Sequence, residues 1–219
     1  MSTYLFLRSG ARSVFTDGAW PTPLDDGAGE WVTSEPGSAA VSVYGYRIGD
    51  LPLWVCDELW EIELLAPIVE GSTRLTAPAG RLLRRLDRWD RHVATEFGSL
   101  AVLHCRDVVA AALSESFAPA MRTMTTTEEL RRLAGTAWSV EGFVGLTDSD
   151  LGAAVRVLGE AAADLLLGQI PLALHEVRLA AGMAATGDMT GETEQFEAAM
   201  LGEQAWQAAL LSKLVDLAR

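Results

Sequence analysis

At Asp87 the hydrophobic pattern of the chain changes period. Before it, short β-branched and aromatic runs are broken by clusters of Gly, Pro and Asp. After it, apolar residues recur every third or fourth position through long, alanine-rich stretches with few prolines. A strand turns alternate side chains to one face and a helix turns every third or fourth. The change therefore divides the chain into a β-rich segment, 1–86, and a helical segment, 87–219. The fold expected is α+β: a small N-terminal mixed or antiparallel sheet packed on a C-terminal bundle of four to five helices. The short connection near residue 87 reads as two packed sub-domains, or one domain, rather than beads on a linker.

Within the first segment, TYLFL and RSVF flank a turn at Gly10, and EWV, AAVSVYGYRI, TRLTAP and GRLLRRL are further strand candidates. The stretch LPLWVCDELWEIEL, residues 51–64, divides in two. Asp50 can cap a single turn that tolerates Pro52. From Trp60 the period is two: Trp60, Ile62 and Leu64 point one way, Glu61 and Glu63 the other. In the second segment Asp87 is read as an N-cap with Asp90 behind it, and Thr127 as the cap of a second helix. Further helices begin near TDSD and at PLALHEV, GDMTG is a turn, and a long final helix carries Phe196, Met200, Trp206, Leu210 and Leu214 as its apolar stripe.

A net charge of −13 repels phosphate backbones, so neither nucleic acid nor an anionic membrane is expected as a partner. No apolar run reaches the roughly 18–20 residues of a membrane span. The start, MSTYLFLRSGARSVF, has no basic segment ahead of a short apolar stretch, and the protein reads as cytoplasmic. Cys56 and Cys105 are the only cysteines and lie far apart, which supports neither a disulfide framework nor a zinc site. Arg, rather than Lys, supplies nearly all the bases, as GC-rich actinobacterial codon usage would produce.

DLPLWVCDELWEIEL and GRLLRRLDRW resemble the LPYWLxxELWEVEL and GRLLRRVDxW runs of an uncharacterised domain family common in actinobacteria. The match is limited to about residues 39–90. Relatives also carry CxxGxHAC just upstream, where this chain has AAVSVYGYR. Tyr44 stands where the histidine would be, and Ala39 and Tyr46 where cysteines would be. The resemblance implies a fold rather than an activity.

Four groups of residues are candidates for chemistry. Trp54, Cys56, Asp57, Glu58 and Trp60 could grip an apolar or aromatic ligand, with Asp57 or Glu58 as acid or base; the plainer alternative is the lid of the β-domain core. Tyr44 and Tyr46 share a strand face and could donate to a ligand oxygen, with Arg47 on the opposite face; equally, they are paired aromatics on a sheet. His92 and Glu96 share a helix face, with His104 two turns beyond; a catalytic histidine competes with a surface pair plus a buried histidine. The arginines 81, 84, 85, 88 and 91 form the basic cluster, in which Arg88 could anchor a carboxylate or phosphate, or all could pair with acids of the chain.

GxSxG, P-loop and GxGxxG motifs are absent, as are zinc and di-iron spacings, so neither cofactor nor metal is expected. Two functions remain. One is a non-catalytic small-molecule-binding or interaction module, with a small apolar or aromatic ligand. The alternative is a cofactor-independent enzyme of specialised metabolism, of the cyclase, isomerase or lyase type, working with an aromatic pocket and one acid/base pair. The sequence leaves the oligomeric state open.

Overall fold

The computed structural model of the protein describes residues 2–24, 27–39, 42–135, 140, 142–143, 146, 150–187 and 194–217. The fold is α+β, with strands in the N-terminal part and helices after residue 90. The chain divides into two compact units: Met1–Val93 with Ala208–Arg219, and Ala94–Gln207.

The first unit holds two three-stranded antiparallel sheets. One has the order β1 (Thr3–Leu7), β3 (Glu58–Leu64), β6 (Gly80–Arg85); the other has β2 (Val43–Gly45), β5 (Leu75–Ala77), β4 (Val69–Glu70). β3 is the central strand of its sheet, with Leu5 opposite Trp60 and Leu7 opposite Glu58. Its period-two pattern is realised: Trp60 and Ile62 are buried, whereas Glu61 and Glu63 pair across to Arg84 and Arg81 at 2.8 and 2.6 Å. β1 is buried along its whole length, because Tyr4 also exchanges two backbone hydrogen bonds with Tyr46 on its far side. The core here includes Phe6, Leu51, Leu59, Leu82 and Trp89. Trp89 meets Phe6 edge-on at 5.2 Å, and its indole N–H donates to the Cys56 carbonyl at 2.8 Å.

Several local expectations shift by a few residues. The RSVF run forms no second strand; it contributes single bridges, Arg8 to Arg12 and Arg12 to Ala19, around the turn at Gly10. EWV likewise gives one bridge, Val32 to Gly80. The turn read at Asp50 is a 3-10 helix, Ile48–Leu53, that begins earlier and has Asp50 inside it, paired to Arg47. The first helix, α1 (Arg91–Ala112), is capped by Asp90 rather than Asp87: Asp90 Oδ1 accepts the Val93 N–H at 2.8 Å. Trp89, fully buried in the turn before it, delays the helix by one turn.

In the second unit, α2 (Ala118–Thr123) follows α1 and has no counterpart in the sequence reading. α3 (Thr127–Leu130) is capped by Thr126 in a capping box with Glu129, one residue earlier than expected. α4 (Asp150–Leu166) packs against α5 (Ile170–Thr186), joined through Gly168 at positive φ and Pro171 in the first turn of α5. Gly187 ends α5 in the left-handed conformation, and most of the GDMTG turn lies outside the described residues. The last helix is α6 (Glu194–Val215). Phe97, Val102, Cys105, Leu158, Leu174 and Val177 are among the fully buried residues of this unit. No helix among the described residues is long and apolar enough to cross a membrane.

Candidate functional site

The buried stripe of α6 is not purely apolar. Phe196, Glu203, Gln207, Leu211 and Val215 are buried at spacings of about two turns and then about one, while Met200, Trp206, Leu210 and Leu214 flank them, half-buried. Two polar residues therefore occupy core positions of a helix. Their partner is Arg178 on α5, itself only 5% exposed.

These groups form a chain. Arg178 donates to Gln207 Oε1 at 3.3 Å, and Gln207 Nε2 donates to Glu203 Oε1 at 3.3 Å. A carboxamide has an acceptor end for a guanidinium and a donor end for a carboxylate, so it can bridge the two charges. The other carboxylate oxygen, Glu203 Oε2, lies 3.4 Å from His104 Nε2 on α1. The imidazole in turn stacks flat on the Trp206 indole, with centroids 3.8 Å apart and planes 5° from parallel.

Burial governs the protonation of each group. Loss of solvent raises the Glu203 carboxyl to about 7, although Gln207 and Arg178 both oppose the shift. Desolvation lowers His104, with Asp107 acting the other way, and lowers Arg178 to about 10. His104 and Glu203 are thus both driven toward their neutral forms, and the contact is a shared hydrogen-bonding position rather than a strong ion pair.

His104 and Glu203 are among the described residues that line a cleft of about 460 Å³, the His104 side chain partly exposed and that of Glu203 buried. Among the described residues its other lining is Val108, Ala111 and Ala112 of α1, Ala181, Ala184 and Ala185 of α5, and Ala199 and Gly202 of α6. Ala181 and Ala184 are buried at its base, whereas Ala111, Ala112, Ala185 and Gly202 are exposed at its mouth. Small side chains on three helices create the space. Close approach of α5 and α6 depends on Gly182, where an added Cβ would meet the Phe196 ring at 2.8 Å.

The other sequence candidates fall elsewhere. Glu58, nearly buried, accepts the N–H groups of Gly10 and Ala11 at 3.0 and 3.1 Å and the Trp60 indole at 3.0 Å, and it pairs with Arg85 at 3.3 Å. Asp57 Oδ2 accepts both the backbone N–H and the hydroxyl of Ser9 at 2.9 Å. Both carboxylates thereby hold the 8–12 turn, where Ala11 sits at φ 55°. Trp54 stacks on Tyr46 at 5.1 Å and meets Phe15 edge-on at 5.6 Å; its indole nitrogen is buried without a hydrogen-bond partner. Tyr46 is fully buried, and Tyr44 lies under the Arg74 guanidinium. Arg47 is engaged by Asp50 and Glu70, and Arg88 by Asp216, each at 3.1 Å. His92 and Glu96 are both exposed on α1. Cys105 is buried with its thiol against the Val177 carbonyl; Cys56 is half-buried, and both are free.

Of the residues singled out from sequence, only His104 reaches the cleft. Glu203, Gln207, Arg178 and the alanine wall were missed. The signal for them was available in the spacing: Glu203 and Gln207 fall in register with Phe196, Leu211 and Val215. No family model, curated protein or solved structure matches this chain.

Proposed function

We propose that the protein is a small-molecule-binding module and that its ligand, a compact apolar or aromatic compound with one polar group, occupies the cleft between α1, α5 and α6. The observation that carries this reading is the cleft itself, a volume of about 460 Å³ walled mainly by alanine, with His104 and Glu203 in its lining. That combination, an apolar wall with few placed polar groups, is what ligand sites present. The buried Arg178–Gln207–Glu203 chain adds weight. Its hydrogen bonds fix polar groups beside the cleft, at a desolvation cost that an apolar core would avoid.

The test is a native mass spectrometry screen of apolar and aromatic small molecules against the wild-type chain and Gly202→Trp. Gly202 is exposed at the cleft mouth, and an added Cβ there meets nothing within 4 Å, so the indole can enter the cleft without breaking the helix. Retained adducts on the wild type that disappear in the variant are expected. Adducts equal on both proteins, or none on either, would remove the reading.

A further inference from the structure

The Glu203 side chain is only 2% exposed, so a molecule in the cleft meets His104 instead, whose side chain is 32% exposed. The rest of the described lining is Val, Ala and Gly, with no polar side chain. Much of the imidazole is already engaged: one face lies on Trp206, and Nε2 is directed at Glu203 Oε2. Nδ1 has no hydrogen-bond partner among the described residues. Resting on the cleft reading above, we propose that the ligand is an uncharged, apolar aryl alcohol whose hydroxyl donates to His104 Nδ1, and that Glu203 is a positioning residue that makes this nitrogen an acceptor by holding the imidazole proton on Nε2.

A neutral imidazole has one N–H and one lone-pair nitrogen, and the partner of one fixes the character of the other. Glu203 Oε1 accepts from Gln207, which Arg178 holds in turn, and Oε2 is left to accept from Nε2. Nδ1 then carries the lone pair, so a ligand must bring a donor. A ketone or an ether has none, and an anion finds no cation in the described lining. An ammonium would lose its water beside a carboxylate too buried to reach it. A phenolic O–H is a stronger donor than an aliphatic one, and an aromatic ring meets the Val and Ala walls with no polar atom to desolvate.

The same arrangement makes binding respond to pH. When Glu203 takes up a proton, the pair turns round: the Nε2 proton passes to the carboxylate, the new proton enters at Nδ1, and the acceptor is lost. Burial sets the carboxyl at about 7, so affinity for the alcohol falls as the pH drops through that value. Protonation of the imidazole, held below its ordinary 6.5 by burial, removes the same acceptor at lower pH. Of the groups around the pair, Arg178 on α5 titrates only at about 10, and burial pushes the Cys105 thiol of α1 well above 9.0. Asp107 of α1 is held by Arg106 at 2.8 Å.

Calorimetric titrations with 2-naphthol and 2-methoxynaphthalene, which differ by the O–H donor, test this. At about pH 8 the wild type is expected to bind the alcohol about 5- to 10-fold tighter than the ether, the usual worth of one hydrogen bond, and to lose that margin by about pH 6. Glu203→Gln should keep binding the ether but lose the change in margin across that range, which a merely structural residue would not do. His104→Phe keeps a flat ring on Trp206 and should bind both compounds equally; retained binding of the ether shows that each variant is folded. Equal binding of the two compounds by the wild type overturns the hydroxyl donor and leaves the cleft reading standing. A margin kept in His104→Phe overturns the role of His104, and the same pH response in Glu203→Gln overturns that of Glu203. Binding of neither compound overturns the aryl-alcohol class. Failure of the wider adduct screen overturns the cleft reading and this inference together.

Discussion

Glu58 and Trp60 lie two residues apart on one face of β3, and the indole N–H of Trp60 donates to Glu58 Oε2 at 3.0 Å. The carboxylate's other contacts reach across to Gly10, Ala11 and Arg85. One side chain therefore ties a strand to the 8–12 turn in which Ala11 is held in the left-handed region. Glu58→Ala strips partners from two backbone amides and an indole, and leaves Arg85 only its 4.0 Å contact with Asp87. The expected loss is about 3 kcal/mol, as for other broken buried polar networks. Urea denaturation measures it, and a loss under about 1 kcal/mol would show that the turn does not depend on Glu58.

Trp60→Ala and Trp54→Ala should differ. Trp60 is 7% exposed and belongs to the buried face of β3, so its truncation should cost about 3–5 kcal/mol. Trp54 is half-buried, packed between Tyr46 and Phe15, with an indole nitrogen that lacks a partner. Its truncation should cost clearly less. Paired denaturation curves decide, and equal losses would make Trp54 as much a core residue as Trp60.

Two glycines should respond in opposite directions. A Cβ on Gly159 of α4 would lie 2.4 Å from the Ala134 backbone nitrogen, where nothing can yield cheaply, so Gly159→Ala should destabilise by about 1–3 kcal/mol. At Gly202 of α6 a Cβ meets open space, and Gly202→Ala should stabilise by about 0.5–1 kcal/mol through helix propensity. Thermal melts of the two variants check both signs.

Glu203 gives a pH dependence whose sign is fixed. Its folded pKa of about 7 lies above the ordinary value of 4.5, so the folded state binds more protons between the two. Stability attributable to this group is full below about pH 4.5 and is lost as the pH rises through about 7, by up to about 3 kcal/mol. Glu176, also raised to about 7, contributes with the same sign, so the informative quantity is the difference between wild type and Glu203→Gln. Wild type should lose stability relative to the variant across that window. A difference that is flat from pH 5 to 8 would contradict the burial-driven shift.

What the sequence disclosed depended on how each element is encoded. β3 and the long helices were legible because an amphipathic period repeats over many residues. β4, two residues long, and α2, one and a half turns between loops, carry too few residues to show a period. The caps slipped because two aspartates three apart, or three threonines in a row, are equally good on chemistry. Trp89 burial and the Glu129 reciprocal bond chose among them. The cleft was hidden for a different reason. Its wall is alanine, which reads as helix propensity, and its polar groups sit in a stripe where an apolar side chain is expected. Only the approach of α1, α5 and α6 makes that stripe a site.

The unit that begins the chain also contains its last stretch, Ala208–Arg219, where Asp216 pairs with Arg88. On a ribosome the sheets of that unit emerge first, and the helical unit follows whole. The segment that completes the first unit follows the whole of the second in the chain, so the first unit lacks part of its own contacts until the second has been synthesised. Proteolytic cuts in the last turns of α6 would therefore injure the unit that holds the sheets, far from the cuts in sequence.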